Sequence, residues 1–332
     1  MLNIFNLGLR SLKEVNIQED IIELYCSHNK IETLEGLEKY VNLTELYCGK
    51  NKIKSLEGIE KCINLTYLDC GRNELETLEG IEKCINLTKL DCSNNKIKSL
   101  EGIDKCVNLT ELDCSNNKIK SLEYFTRVKV KYINLTKLNC VGNELETLKG
   151  LEKCINLTEL YCSYNKLETL EGLDKCINLT TLNCGNNIIK TLEVLDKCVN
   201  LTELHCCNNK LETLEELEEC VNLTELYCNN NKIKSLELLD KCINLTELNC
   251  SNNELKTLEG IEKCNKLTEL CCSFNELRKL KYCSESIRNI EYNDNPINEE
   301  YRGRDIGEIH RINKEKWERS IYKGVMKEDN FL

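Results

Sequence analysis

The sequence predicts an α/β solenoid. The expected form is a right-handed coil with a long parallel sheet on its concave side, an irregular or 3-10 convex side, and a capping helix at its C-terminal end. Three observations carry this. First, one stretch recurs every 22 residues: LTELYCGKNKIKSLEGIEKCIN from Leu43, LTYLDCGRNELETLEGIEKCIN from Leu65 and LTKLDCSNNKIKSLEGIDKCVN from Leu87. A period of that length marks stacked supersecondary units that bury a core only against their neighbours. Second, apolar residues and an asparagine keep fixed offsets in each turn, L-x-x-L-x-C-x-x-N-x-[IL]-x-x-L. Third, the repeat stops after Asn298. Beyond it Ile306, Ile309, Ile312, Trp317, Ile321 and Val325 recur at helical spacing.

Within one turn Leu43, Leu46, Cys48, Ile53, Leu56, Ile59 and Cys62 are expected to point inward, with residues 45–48 as a short strand. Asn51 and its equivalents form a ladder at the bend, where an amide's donors and acceptor meet backbone groups that need partners. Gly58 and its equivalents lie on the return path. Val194, Glu216 and Leu238 fill that position elsewhere, so a positive φ is not obligatory there. Residues 2–12 fit the second half of a turn, which leaves the first strand's edge poorly covered. The turn from Ser121 to Asn134 is longer than the others. It bulges from the convex side either as a tolerated insertion or as a basic-aromatic knob of Tyr124, Phe125, Arg127, Lys129 and Lys131. The last turn, Ile287 to Ile297, arrives early and carries Tyr292 in place of cysteine. Two regions result: a coil of about thirteen repeats over 1–297 and a helical cap over 298–332.

The chain has 24 cysteines. Most fall on two repeat positions, that of Cys48 and that of Cys62, so they read as two ladders of small buried hydrophobes. Free thiols imply a reducing, cytoplasmic compartment. Parallel in-register side chains point the same way rather than at each other, so disulfide stacking is the lesser alternative. Cys207 and Cys271, and with them Cys283, are the thiols expected to react first. The start lacks a signal peptide's apolar core, and no run is long enough to span a membrane. Ten Asn-Leu-Thr triplets are formal glycosylation sequons. Entry of the repeat into its strand is the stronger explanation of them. A formal charge of -11 argues against nucleic acid.

No catalytic motif is present, and no enzyme activity, metal or cofactor is expected. His205-Cys206-Cys207 resembles a metal cluster until strand alternation sends His205 outward and Cys206 inward. The outward strand positions are where the turns differ. The binding residues expected there are Tyr25, Glu45, Tyr47, Tyr67, Asp69, Asp91, Glu111, Asp113, Tyr161, His205 and Tyr227. Asp69, Asp91 and Asp113 stand side by side and repel, with Lys89 and Arg72 as partial relief. Three carboxylates fall short of the oxygens calcium takes. Asp91 faces solvent on this reading, so Asp91→Lys leaves the fold intact, with Glu60→Lys as the convex-side control.

The pattern resembles the 22-residue class of leucine-rich repeats, with cysteine where the sixth position usually carries leucine. Internalin-like bacterial surface proteins and a phosphatase-regulating nuclear subunit belong to that class. The cysteine-bearing LYCSYNKLETL variant looks more like repeat proteins of giant DNA viruses and AT-rich microbes. NPINEEYR resembles the opening of the terminal cap in some of these proteins. The resemblance implies a curved, non-enzymatic protein-binding scaffold. The acidic, tyrosine-bearing face implies a protein partner with basic side chains. A monomer or weak homodimer is expected. The alternatives are a glycosylated surface adhesin and an assembly protein pairing through its N-terminal edge.

Overall fold

The structure, a computed structural model, describes residues 1–15, 20–127 and 134–328, leaving the side chains of residue 317 and of residues from 319 onward outside the description. The chain forms two units, Met1–Ile188 and Ile189–Leu332. The first holds β1 (Leu2–Asn3), β2 (Glu23–Tyr25), β3 (Glu45–Tyr47), β4 (Tyr67–Asp69), β5 (Lys89–Asp91), β6 (Glu111–Asp113), β7 (Lys137–Asn139), β8 (Glu159–Tyr161) and β9 (Thr181–Asn183). The second holds β10 (Glu203–His205), β11 (Glu225–Tyr227), β12 (Glu247–Asn249), β13 (Glu269–Cys271), β14 (Asn289–Glu291) and the helix α1 (Ile306–Glu328). Within each unit the strands are parallel and follow chain order, in the register the period dictates: Leu46 pairs Leu68, and Leu226 pairs Leu248. The early last turn is real, since Glu269 pairs Asn289.

From β2 to β13 each three-residue strand buries its middle leucine and turns its first and third residues outward, while β14 has half-buried Ile290 in the middle. The inward positions read from the sequence are buried throughout, from Leu24 to Leu280. Both cysteine positions lie in the core, and none of the 24 cysteines is in a disulfide. A thiol has one advantage over leucine here. Cys70 Sγ donates to Asp91 O at 3.4 Å, and Cys220 Sγ donates to Leu195 O at 3.4 Å. Only Cys207 and Cys271 are half-exposed. Cys283 is buried, contrary to its expected reactivity, because it packs under the cap beside Tyr301.

The asparagine ladder runs through each unit. Asn73 Nδ2 donates to Cys48 O and Cys70 O, at 3.1 and 3.0 Å, while its Oδ1 accepts from Ile53 N at 2.9 Å. Asn29 and Asn295 extend the ladder by a rung at each end. The sequon residues serve the framework too: Asn64 Nδ2 donates to Val41 O and Thr66 Oγ1 to Thr44 O. On the return path short 3-10 turns such as Ile59–Lys61 follow glycine at positive φ, +101° at Gly58. Where Val194 replaces glycine the backbone takes φ -96° and a 3-10 turn still forms.

In the long turn, Phe125 is buried, so it belongs to the core rather than to a docking knob. Arg127 lies over the Tyr124 ring at 4.2 Å. Lys129 and Lys131 fall outside the described residues. At the C-terminal end α1 starts later than the composition after Asn298 suggests. Turns occupy 299–303 first, and Asp305 Oδ1 accepts from Glu308 N at the helix start. Tyr301 and Ile309 are fully buried, and Asn313 Nδ2 donates to Leu280 O at 2.7 Å, which joins the cap to the coil. Among the described residues no helix is long and apolar enough to cross a membrane.

Candidate functional site

The candidate surface is the outward face of the strands, two columns of side chains set by the first and third residue of each strand. In the Met1–Ile188 unit three tyrosines meet at one end. The Tyr25 and Tyr47 rings stack at 4.4 Å, and Tyr67 lies 4.8 Å from Tyr47. The phenols engage glutamates of their own strands: Tyr47 Oη donates to Glu45 at 2.9 Å and Tyr161 Oη to Glu159 at 3.0 Å. Burial first, then the Glu45 carboxylate, push the Tyr47 hydroxyl pKa up.

Asp69, Asp91 and Asp113 stand in register as expected. They are not free, however. Asp69 Oδ1 accepts from Gly71 N, Asp91 Oδ1 from Ser93 N and Asp113 Oδ1 from Ser115 N, at 2.9–3.0 Å. Each carboxylate holds the bend that follows its strand, an Asx arrangement that asparagine performs equally well. Asn139 and Asn249 do so at the same position. Burial pushes the Asp69 carboxyl up, the Gly71 N–H opposes this, and the Asp91 charge adds to it. Lys89 does not relieve the row. Its Nζ pairs with Glu111 at 2.6 Å, in its own column, as Lys137 pairs with Glu159 at 2.7 Å. Asp91→Lys therefore removes a turn acceptor as well as a charge. Glu60 also has a framework contact, accepting from Gly58 N at 2.8 Å.

A cavity of about 380 Å³ opens between the two tyrosine positions. Tyr67, Asp91, Glu111, Asp113 and Tyr161 line it together, with Lys89, Lys137 and Asn139 between them and Leu90 and Leu112 below. Of the expected residues, Tyr25, Glu45, Tyr47 and Asp69 of this unit do not line it, nor do His205 and Tyr227 of the other. Neither lysine is among the expected binding residues: Lys89 reads from the sequence as charge relief for the aspartates, and Lys137 as one more outward residue of its column. Their place in the first-residue column, one strand away from Glu111 and from Glu159, was the available signal.

In the Ile189–Leu332 unit His205 stacks on Tyr227 at 4.4 Å, and its Nε2 lies 2.7 Å from Glu203 Oε1. Cys206 is buried beneath, as alternation requires. Glu203, His205 and Glu225 bring three donor atoms within 4.8 Å of one another. The sequence reading missed this group by following His205 to its cysteine neighbours. The Glu-Leu-His spacing, with glutamate repeated one period later, held the signal.

Leucine Rich repeats (2 copies) is the family whose model matches, in successive segments over 41–83, 85–127 and from 133 to 289. No curated protein matches the chain. Solved structures do. An internalin (inlF) from Listeria monocytogenes is 21% identical, with a TM-score of 0.75 over 81% of this chain and 79% of that one. A leucine-rich repeat protein of Leptospira interrogans is 25% identical, with a TM-score of 0.78 over 89% and 76%. The functional domain of InlJ from Listeria monocytogenes, which includes a cysteine ladder, is 26% identical, with a TM-score of 0.71 over 87% and 65%. With the period, the parallel strands and the asparagine ladder all in place, and the family matched over more than half its length, this chain belongs to the leucine-rich repeat family.

Proposed function

We propose that the outward face of the Met1–Ile188 unit binds a protein segment that places a lysine or arginine between Tyr67 and Tyr161. Leucine-rich repeat domains are in general non-enzymatic protein–protein interaction modules, which supports the class of activity. The observation that carries the rest is the cavity with Asp91, Glu111 and Asp113 on its walls and tyrosine at both ends. Tyrosine gives a large rigid contact with a polar tip, and a cation over its ring face is attracted to it. The carboxylates steer a basic partner and fix its register. Lys89 and Lys137 divide the acidic surface and so restrict where a second positive charge can sit. A reducing, cytoplasmic setting and a monomeric or weakly dimeric chain belong to the same proposal. The free thiols support the former.

The test uses random peptides displayed on phage, selected against the full chain, and then titration calorimetry of the enriched peptide. Asp91→Asn is the discriminating variant, because it keeps the turn acceptor and removes the charge. Glu101→Gln removes one charge at an exposed return-path position and serves as control. Enriched peptides carry a basic residue, and Asp91→Asn weakens them about tenfold, roughly 1.4 kcal/mol, with the control unchanged. Equal affinity for both variants, or enrichment without basic residues, overturns the proposal.

A further inference from the structure

We propose that Glu203, His205 and Glu225 form a binding site for a divalent transition-metal ion of the zinc type, on the outward face of the Ile189–Leu332 unit. This goes beyond the peptide-binding proposal and uses none of its residues. Two independent observations meet here.

The first is geometric. Glu203 and His205 are the outward residues of β10, and Glu225 is the register partner of Glu203 on β11. Their donor atoms lie within 4.8 Å of one another. Ligands bonded to zinc at about 2.0–2.2 Å sit somewhat closer than that, a difference that surface glutamate rotamers close. The imidazole is already oriented, since its ring stacks on Tyr227, whose hydroxyl is held by Glu247. Such outer contacts fix a ligating histidine and sharpen metal affinity.

The second is electrostatic. Glu203, Glu225, Glu247 and Glu269 occupy one column in strict register. Like charges directly opposite on neighbouring strands destabilise a sheet. In the first unit lysines stand at the corresponding strand position, where Lys89 and Lys137 neutralise Glu111 and Glu159. No lysine stands in it from Glu203 to Glu269. Glu247 takes the Tyr227 hydroxyl, and Glu269 takes Asn289 Nδ2 at 2.7 Å. Among the described residues the Glu225 carboxylate accepts no hydrogen bond, and the charge it adds beside Glu203 is what a bridging cation cancels. One imidazole and two carboxylates suit zinc or a similar ion rather than calcium or magnesium, which favour all-oxygen shells of higher number. Three protein ligands leave a fourth position for water.

The experiment titrates zinc into the full-length, reduced, metal-stripped chain by calorimetry. Wild type takes up one zinc per chain. His205→Ala and Glu225→Gln each weaken it at least about tenfold. Cys207→Ser, a nearby half-exposed thiol, leaves it unchanged. A readout on wild type alone guards against unstable variants. Diethylpyrocarbonate modification of His28, His205 and His310 is mapped by mass spectrometry, and zinc protects His205 selectively. No stoichiometric binding, binding that survives both ligand variants, loss with Cys207→Ser, or an unprotected His205 each overturns the site.

Discussion

At the bend of each coil two neighbouring residues do opposite things. The ladder asparagine relieves the backbone, and the residue before it strains it. Lys50, Arg72, Asn94, Tyr164, Asn208 and Phe274 all sit at φ +54° to +56°. Asparagine tolerates that left-handed region, whereas a bulky side chain resists it. Phe274 is also mostly exposed, so no core packing offsets the strain. Phe274→Asn is expected to stabilise the chain by about 0.5–1 kcal/mol, read as a raised urea midpoint, and a lowered midpoint refutes the strain argument. The ladder residue behaves in the other direction. Asn117 Nδ2 donates to Cys92 O and Cys114 O and its Oδ1 accepts from Ile97 N, all within 3.1 Å and buried. Asn117→Ala leaves those groups without partners and costs about 2–4 kcal/mol in the same measurement. The ladder was legible in the sequence because its partners are backbone atoms at a fixed offset. The strained residue was not, because almost any side chain occupies that position.

The C-terminal cap is held by a few specific contacts rather than by a long apolar stripe. Tyr292 Oη donates to Arg304 O at 2.7 Å, and fully buried Tyr301 donates to Asn313 Oδ1 at 2.9 Å. Tyr301→Phe keeps the packing and loses one hydrogen bond, about 1 kcal/mol. Tyr301→Ala loses the packing as well, about 3–5 kcal/mol, and releases α1 from the last coil. Since α1 is the one α-helix among the described residues, helical circular dichroism should melt earlier in the alanine variant than in the phenylalanine one. Coincident melting argues that the cap does not depend on Tyr301. On the return path the same repeat position accepts glycine or valine by changing its backbone. At Gly260, φ +109°, an added Cβ falls 2.1 Å from Leu236 O, so the segment cannot take a side chain without moving.

Across the whole molecule buried thiols stand among the leucines and isoleucines of the core, and that makes its stability sensitive to alkali. Burial pushes Cys26, Cys62, Cys84, Cys106, Cys140, Cys228 and Cys264 up to about 12. An unfolded thiol titrates near about 8.5. The folded state therefore holds these protons more tightly, and the stability they confer is complete below about pH 8.5 and lost as pH rises toward 12. Each such thiol contributes a slope of about 1.4 kcal/mol per pH unit in that window. Urea midpoints should be level from about pH 7 to 8 and fall steeply above about pH 9. A level profile to about pH 10 contradicts this. Alkylation at neutral pH should label Cys207 and Cys271 first and spare the others until unfolding.

The sequence by itself determined the period, the parallel register, the inward set from Leu24 to Leu280, the two cysteine ladders and the asparagine ladder. These follow from spacing alone, because every coil repeats the same contacts with its neighbour. Tertiary structure decided what the outward side chains do. Asp91 reads as a free surface charge until its Oδ1 is seen on Ser93 N. Lys89 reads as relief for the aspartates until its ammonium is seen on Glu111. The grouping of Glu203 with His205 and Glu225 requires a residue of the next coil. Side chains on that face choose among several partners within a few ångströms, and the choice depends on rotamers and local charge, which no period encodes.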